Sequence, residues 1–289
     1  MISKDSFPVF AQYNEDIIIA SLLPNIENGF YVDVGANDEE YHSVTKYFYQ
    51  RGWSGINIEP IPRLLKVFEK KRKRDINLNI AVSEKKGTLK FREYPEHDGF
   101  STLSTESKGE ESKLNIPYND YSVKVDSLEN IFSENSIKKI DFLKIDVEGY
   151  EFEVLKSNNW EKYRPTVVCI EANHRTDDWS SFLEGYKYEL VIYDGLNEYY
   201  IAKESSKLFE GFAERAAINS HNGIRNHHFT TWSNDIKHLE GLVSDQDRRI
   251  QTIQGELDQE RRYSLRNKPY LQRIKVAIKG LVADYFIKS

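Results

Sequence analysis

The chain of 289 residues holds one cysteine, Cys169, so no disulfide can form within it. That points to a reducing compartment or to indifference to redox state. Cys169 lies in the apolar run TVVCIEA, where a lone cysteine behaves as a small hydrophobe. Long apolar runs are missing as well. No stretch reaches the ~18 apolar residues of a membrane-spanning helix, and the opening MISKDSFPVFAQYNED lacks the apolar centre of a secretory signal. Neither GxGxxG nor GxxxxGK[ST] occurs, which removes the dinucleotide fingerprint and the P-loop.

Hydrophobic residues make up 39% and charged residues 30%, a balance that predicts a packed core rather than disorder. The net charge of −6 is unevenly spread. Residues 261–289 carry eight Lys or Arg and one acid, giving +7 and leaving −13 on residues 1–260. An acidic body of this kind disfavours nucleic acid as substrate or partner, because phosphates need basic grooves.

The first two hundred residues read as alternating strands and helices. GFYVDVG (29–35) and SGINIEP (54–60) are strands, SVTKYFYQRGW (43–53) and IPRLLKVFEKKRKR (61–74) are helices, and DINLNIAVS (75–83) is a third strand. This order predicts an α/β domain with a mainly parallel sheet. GTLKFREY (87–94) alternates as a further strand. A polar stretch over 95–121 follows, too long for an ordinary connection, so it is either a mobile loop or a lid. SVKVDSLENIF (122–132) predicts a strand and a helix capped by Asp126 or Ser127. IDFLKID (140–146), its helix EGYEFEVLK (148–156), the strand TVVCIEAN (166–173) and a hairpin over 186–203 around DGLN complete the domain.

Beyond Lys203 the texture changes. Residues 204–235 are expected to be a linker or partly ordered extension. From Ile236 a heptad seam puts Ile236, Val243, Ile250 and Leu257 at a, and Leu239, Gln246, Ile253 and Glu260 at d. A short coiled coil that makes a homo-oligomer through 236–260 is one reading; a helix packed back on the body is the other, favoured by Gly241 and Gly255. The tail aligns Leu271, Ile274, Ile278, Leu281, Val282 and Tyr285 on one face, with Arg273, Lys275 and Lys279 largely off it. A basic amphipathic helix fits a membrane surface, an acidic partner protein such as a glycan-assembly enzyme, or an oligomer contact.

The first strand runs FYVDVGAND, with Asp33 inside it, Gly35 directly after it, and Asn37 and Asp38 in the loop. A glycine there lets a ligand approach the backbone. Glu59 ends the second strand, and a carboxylate at that place offers two acceptor oxygens to ribose hydroxyls. Without phosphate-cradling glycines, the pattern fits an adenosine ligand that has no pyrophosphate, such as S-adenosylmethionine. The plain alternative is a tight turn and a surface acid.

FYVDVGAND, GINIEP, NIAVSEKKGTLKF, DFLKIDVEGYEFEVLK and VVCIEAN occur in the order of the FkbM-type methyltransferases, which the chain resembles over residues 9–203. The resemblance implies a Rossmann-like seven-stranded methyltransferase sheet with helices on both faces, followed here by a C-terminal helical or coiled-coil extension over 236–289. It implies S-adenosylmethionine as cofactor and O-methylation of a hydroxyl, often on a sugar or glycolipid. By it Asp33, Gly35 and Asn37 line the methionine end, Glu59 holds the ribose, Ala81 and Val82 flank the adenine, and Gln12 with Tyr13 closes over the site. The expected place is the cytoplasm, at the inner face of the plasma membrane if the tail binds lipid.

Methyl transfer to an alcohol needs the hydroxyl proton removed or its pKa lowered. Asp146, at the end of one strand, and Glu171, Asn173 and His174, after the next, are the candidates. Either Asp146 or His174 acts as base, or Asp146, Glu171 and Asn173 hold Mg²⁺. Glu148 and Glu151 are expected in the first turn of the following helix, where negative charge is favourable by roughly 0.3–1 kcal/mol each. In the loop, His97, Ser101, Thr102 and Ser104 around Phe100 suit a sugar acceptor or a merely solvated loop. A non-catalytic methyltransferase-like scaffold working through its coiled coil is the rival to the enzyme.

Overall fold

The computed structural model describes residues 9–103, 116–173 and 178–223. The coiled coil and tail expected over 236–289 lie outside the described residues, as do Ser104 and His174.

Strands β1 (Phe30–Val34), β2 (Ser54–Ile58), β3 (Ile76–Leu78), β7 (Phe142–Ile145), β8 (Val167–Glu171), β9 (Tyr188–Tyr193) and β10 (Asn197–Ala202) form a seven-stranded sheet. Its order is β3-β2-β1-β7-β8-β10-β9, parallel except for β10, which runs against both β8 and β9. A second sheet joins β4 (Ala81–Val82), β6 (Asn119–Asp126) and β5 (Gly87–Glu93) in the order β4-β6-β5. The helices are α1 (Glu15–Leu22), α2 (Lys46–Gln50), α3 (Pro62–Lys71), α4 (Leu128–Glu134), α5 (Glu151–Lys156), α6 (Trp179–Gly185) and α7 (Phe212–Gly223).

Period-two alternation sends each strand's side chains to two apolar layers. Val32, Val34, Ile56, Ile58, Leu143, Ile145, Val168 and Ile170 pack against α4, α5 and α6. Tyr31, Phe142, Val167, Cys169, Tyr199 and Ile201 pack on the opposite face against α1 and α2. Cys169 is therefore a buried hydrophobe, as its setting predicts. Helices α2 and α5, of five and six residues, are too short to persist alone, so this burial holds them in place.

The chain departs from the expected strand pattern at 75–83. The Asn79 side-chain amide donates to the carbonyls of Glu59 and Pro60, both at 2.9 Å, and the strand breaks there. Ile76–Leu78 stays on the edge of the large sheet, while Ala81–Val82 crosses to pair with β6. Strand β6 also begins earlier than expected, at Asn119, and Ser127 rather than Asp126 caps α4, accepting from Asn130 N. Part of the expected linker is helical: α7 docks on α1, with Arg215 Nε donating to Ser21 O at 2.7 Å and Asn219 Nδ2 to Ser21 Oγ at 2.9 Å. These polar ties leave no apolar stripe in the sequence. Among the described residues no helix is long and apolar enough to cross a membrane.

The order of strands reverses between β1 and β7, and a crevice opens beyond their carboxyl ends. Gly35 turns the chain out of β1 with φ 76°, and a Cβ on it would lie 1.8 Å from the carbonyl oxygen of Asp146. The glycine thus serves first the close approach of the β7 end, whose Asp146 N donates to Val34 O at 3.1 Å. Replacing Gly35 with alanine is expected to cost more than about 1 kcal/mol of stability. The midpoint of urea unfolding measures it; an unchanged midpoint contradicts the steric reading.

Candidate active site

The turn after β1 is laced to the end of β2. Gly35 N and Ala36 N both donate to Ile58 O, at 3.1 and 3.2 Å. Glu59 continues the lacing with its side chain: Oε2 accepts from Asn37 N at 2.9 Å and Oε1 from Ile61 N at 2.7 Å. It is 4% exposed, and burial pushes its carboxyl up to about 7 despite these two bonds. Each oxygen keeps a further lone pair.

Beside it lies Lys144, which reads in sequence as part of the apolar run of β7. Alternation turns it to the same face as Asp33, its register partner on β1. Its ammonium donates to Gly35 O at 2.8 Å and lies 3.4 Å from Asp33 Oδ1 and 3.2 Å from Asp146 Oδ2. Burial works against its charge, but Asp146 and Asp33 outweigh burial and raise its pKa. Asp33 is 1% exposed; Thr45 Oγ1 donates to its Oδ2 at 3.1 Å, and its Oδ1 has no hydrogen bond among the described residues. Burial raises the Asp33 pKa, against the pull of Lys144.

A third group gathers at the ends of β7 and β8. Oxygens of Asp146, Glu148 and Glu171 lie within 4.8 Å of one another. This changes the expectation for Glu148. It is not in a helix: it has φ 55°, precedes Gly149 at φ 93°, and α5 starts only at Glu151. Glu151 does open the helix, but it is 2% exposed and accepts from Val147 N at 3.2 Å and Gly149 N at 2.9 Å. It is a buried clasp on the loop rather than a solvent charge. Burial, then the charges of Asp146 and Glu148, push Glu171 up to about 10. Asn173, expected as a metal ligand, donates its amide to Glu171 Oε1 at 3.3 Å.

These groups line one cavity of about 730 Å³, within the usual range for small-molecule sites. Gln12, Asp33, Gly35, Asn37, Glu59, Ala81, Val82, Asp146, Glu171 and Asn173 all reach it. Sequence reasoning missed Lys144, Glu15, Glu148 and the pair Tyr41 and His42, which also line it. Tyr41 stacks on His42 with ring centroids 3.8 Å apart. The Gln12–Tyr13 edge is anchored from below: Asp16 Oδ2 accepts from Phe10 N at 2.7 Å and Ala11 N at 3.3 Å, and Glu15 Oε2 accepts from Tyr13 N at 2.7 Å. On the other side, Thr102 Oγ1 donates to Glu148 O at 2.8 Å and ties the 97–103 loop to the acid cluster.

Eight carboxylate side chains and one lysine line the walls, a lining that favours a cation. S-adenosylmethionine carries two positive centres, a sulfonium and an ammonium, and an adenosine without phosphates. Asp33 Oδ1, which faces the Lys144 ammonium at 3.4 Å, keeps acceptor capacity that fits the ammonium of S-adenosylmethionine, and the spare lone pairs of Glu59 fit its ribose hydroxyls.

Residues 33–190 match the family model of the Methyltransferase FkbM domain. The chain belongs to the FkbM methyltransferase family. Among solved structures, the methyltransferase FkbM of Methylobacillus flagellatus KT aligns at 15% identity and a TM-score of 0.41, over 69% of this chain and 49% of that one. The chain thus spans about half the length of that relative. A TehB-like SAM-dependent methyltransferase of Corynebacterium glutamicum ATCC 13032 Kitasato aligns at 10% identity and a TM-score of 0.37, over 65% of this chain and 88% of that one. No curated protein matches the chain.

Glu59 makes a pH signature for this FkbM methyltransferase. Its folded pKa of about 7 exceeds the ordinary 4.5, so its contribution to stability is complete below about 4.5 and is lost as pH rises through 7. Asp16, pushed up to about 7 chiefly by burial, acts in the same window. Glu59→Gln is therefore expected to flatten in part the fall of stability between pH 4.5 and 7.5, read from urea midpoints across that range. An undiminished slope would show that Glu59 does not titrate there.

Proposed function

We propose that this FkbM methyltransferase transfers the methyl group of S-adenosylmethionine to a hydroxyl of a sugar, in a cell-surface glycan or its lipid-linked precursor. The carrying observation is the division of the cavity: buried carboxylates lie at the strand ends and aromatic side chains at the mouth. Tyr13 is 48% and Tyr41 55% exposed, and His97 and Phe100 line the cavity from the loop opposite. Sugar rings stack their C–H faces on such aromatics, and carboxylates accept from their hydroxyls.

The cofactor supplies an activated methyl carbon. The residues of the chain do the remaining work. Glu59 takes the ribose hydroxyls, Asp33 the methionine ammonium, and Ala81 and Val82 the adenine edge. Lys144 fixes Asp33 and Asp146 relative to each other, so that donor and acceptor meet in line. Asp146, 37% exposed at the cavity, receives the proton of the acceptor hydroxyl as its oxygen takes the methyl carbon. Gln12 and Tyr13 exclude water from above.

The test is turnover of labelled S-adenosylmethionine with glycan fractions, with mass spectrometry of the product. Methylated sugar and S-adenosylhomocysteine are expected in equal amounts. Asp146→Asn is expected to lower kcat by roughly 10²–10⁴ with cofactor affinity kept. Glu59→Ala is expected to weaken cofactor binding by about tenfold or more, the loss of a charged hydrogen-bond acceptor. A chain that binds cofactor and methylates no glycan fraction would overturn the sugar reading.

A further inference from the structure

We infer that Asp146, Glu148 and Glu171 form a binding site for one hard divalent cation, of the Mg²⁺ or Mn²⁺ class, at the inner end of the cavity. The three carboxylates come from two places in the chain, the β7 end with its loop and the β8 end, yet one oxygen of each falls within 4.8 Å of the others. An all-oxygen set of this kind suits hard cations.

A second observation points to a ligand. Glu171 is 9% exposed, and its Oε2 is buried with no hydrogen-bond partner among the described residues. Its other oxygen accepts from the Asn173 amide at 3.3 Å. A buried carboxylate oxygen without a donor is costly, and in native proteins it calls for an ion or a ligand.

Lys144 is engaged with Gly35 O, Asp33 and Asp146, and reaches the cluster only through Asp146 Oδ2. The N–H groups of Val147 and Gly149, which could have capped the cluster, are turned instead to Glu151 Oε1. Thr102 holds the same loop from its other side through the carbonyl of Glu148. The loop is therefore fixed with its carboxylate toward the cluster and its own donors directed away. The cluster opens on the cavity, which leaves coordination positions for water or for an acceptor hydroxyl. A coordinated hydroxyl has a lowered pKa, so the site deepens the methyl-transfer reading and rests on it for its role, though not for binding.

The test uses the full chain after EDTA treatment and desalting, titrated with Mn²⁺ alone and followed by the electron paramagnetic resonance of free Mn²⁺. One Mn²⁺ per chain is expected, displaced by Mg²⁺. Glu148→Gln and Glu171→Gln are each expected to weaken it at least ~10-fold, while Glu153→Gln, on α5 and outside the cluster, leaves it unchanged. Circular dichroism checks that each variant is folded. Absence of saturable Mn²⁺ binding, or binding indifferent to both cluster variants, overturns the site. Calorimetry with S-adenosylmethionine in EDTA is the separate readout. A chain that binds Mn²⁺ through these residues but no S-adenosylmethionine supports the cation site and overturns the methyl-transfer reading instead.

Discussion

The Lys144 ammonium has to satisfy three neighbours at once: the Gly35 carbonyl, Asp33 and Asp146. Each belongs to a different part of the crevice. Gly35 sets the turn after β1, Asp33 lies within β1, and Asp146 follows β7 at the cavity wall. A buried ion pair adds little net stability over an apolar pair, because desolvation offsets the Coulombic gain. Losing one partner is another matter, costing about 3–5 kcal/mol through the stranded charge. Lys144 therefore gives the site a fixed geometry more than it gives the fold stability. The tight contact of Gly35 with the Asp146 carbonyl enforces the same geometry from the backbone side.

The charge balance of the cavity follows from this arrangement. One lysine faces eight carboxylates. Such a lining would expel a phosphate and welcomes a sulfonium.

Much of this was legible in the residues. Short, nearly continuous apolar runs, each ending in glycine or acid, announced β1, β2, β7 and β8, because strands buried on both faces leave that pattern. Gly35, Glu59, Asp146 and Glu171 were marked by their places at strand ends, and Asp33 and Asn37 by the family resemblance; all six line the cavity. Lys144 did not, because a lysine within FLKI has meaning only once its register partner Asp33 is known. Glu148 was hidden by two successive residues with positive φ that postpone α5 to Glu151, a turn that composition does not betray. The break at Asn79 was hidden for a similar reason, since one side-chain amide closes off the end of β2 and sends Ala81 and Val82 to another sheet.

The central position of β1 has a kinetic consequence. Its pairing with β2 is local, but Phe30 N reaches Asp141 Oδ2 across 111 residues, and Tyr31 lies opposite Phe142. Closing so long a loop costs entropy that no early contact repays, and sheets built this way fold slowly. Until β7 docks, Asp33 has no lysine beside it and the carboxylates that follow β7 are not in place. The binding cavity is accordingly among the last parts of the molecule to appear, so a nascent or half-folded chain gains nothing from cofactor, and ligand stabilises only the finished sheet.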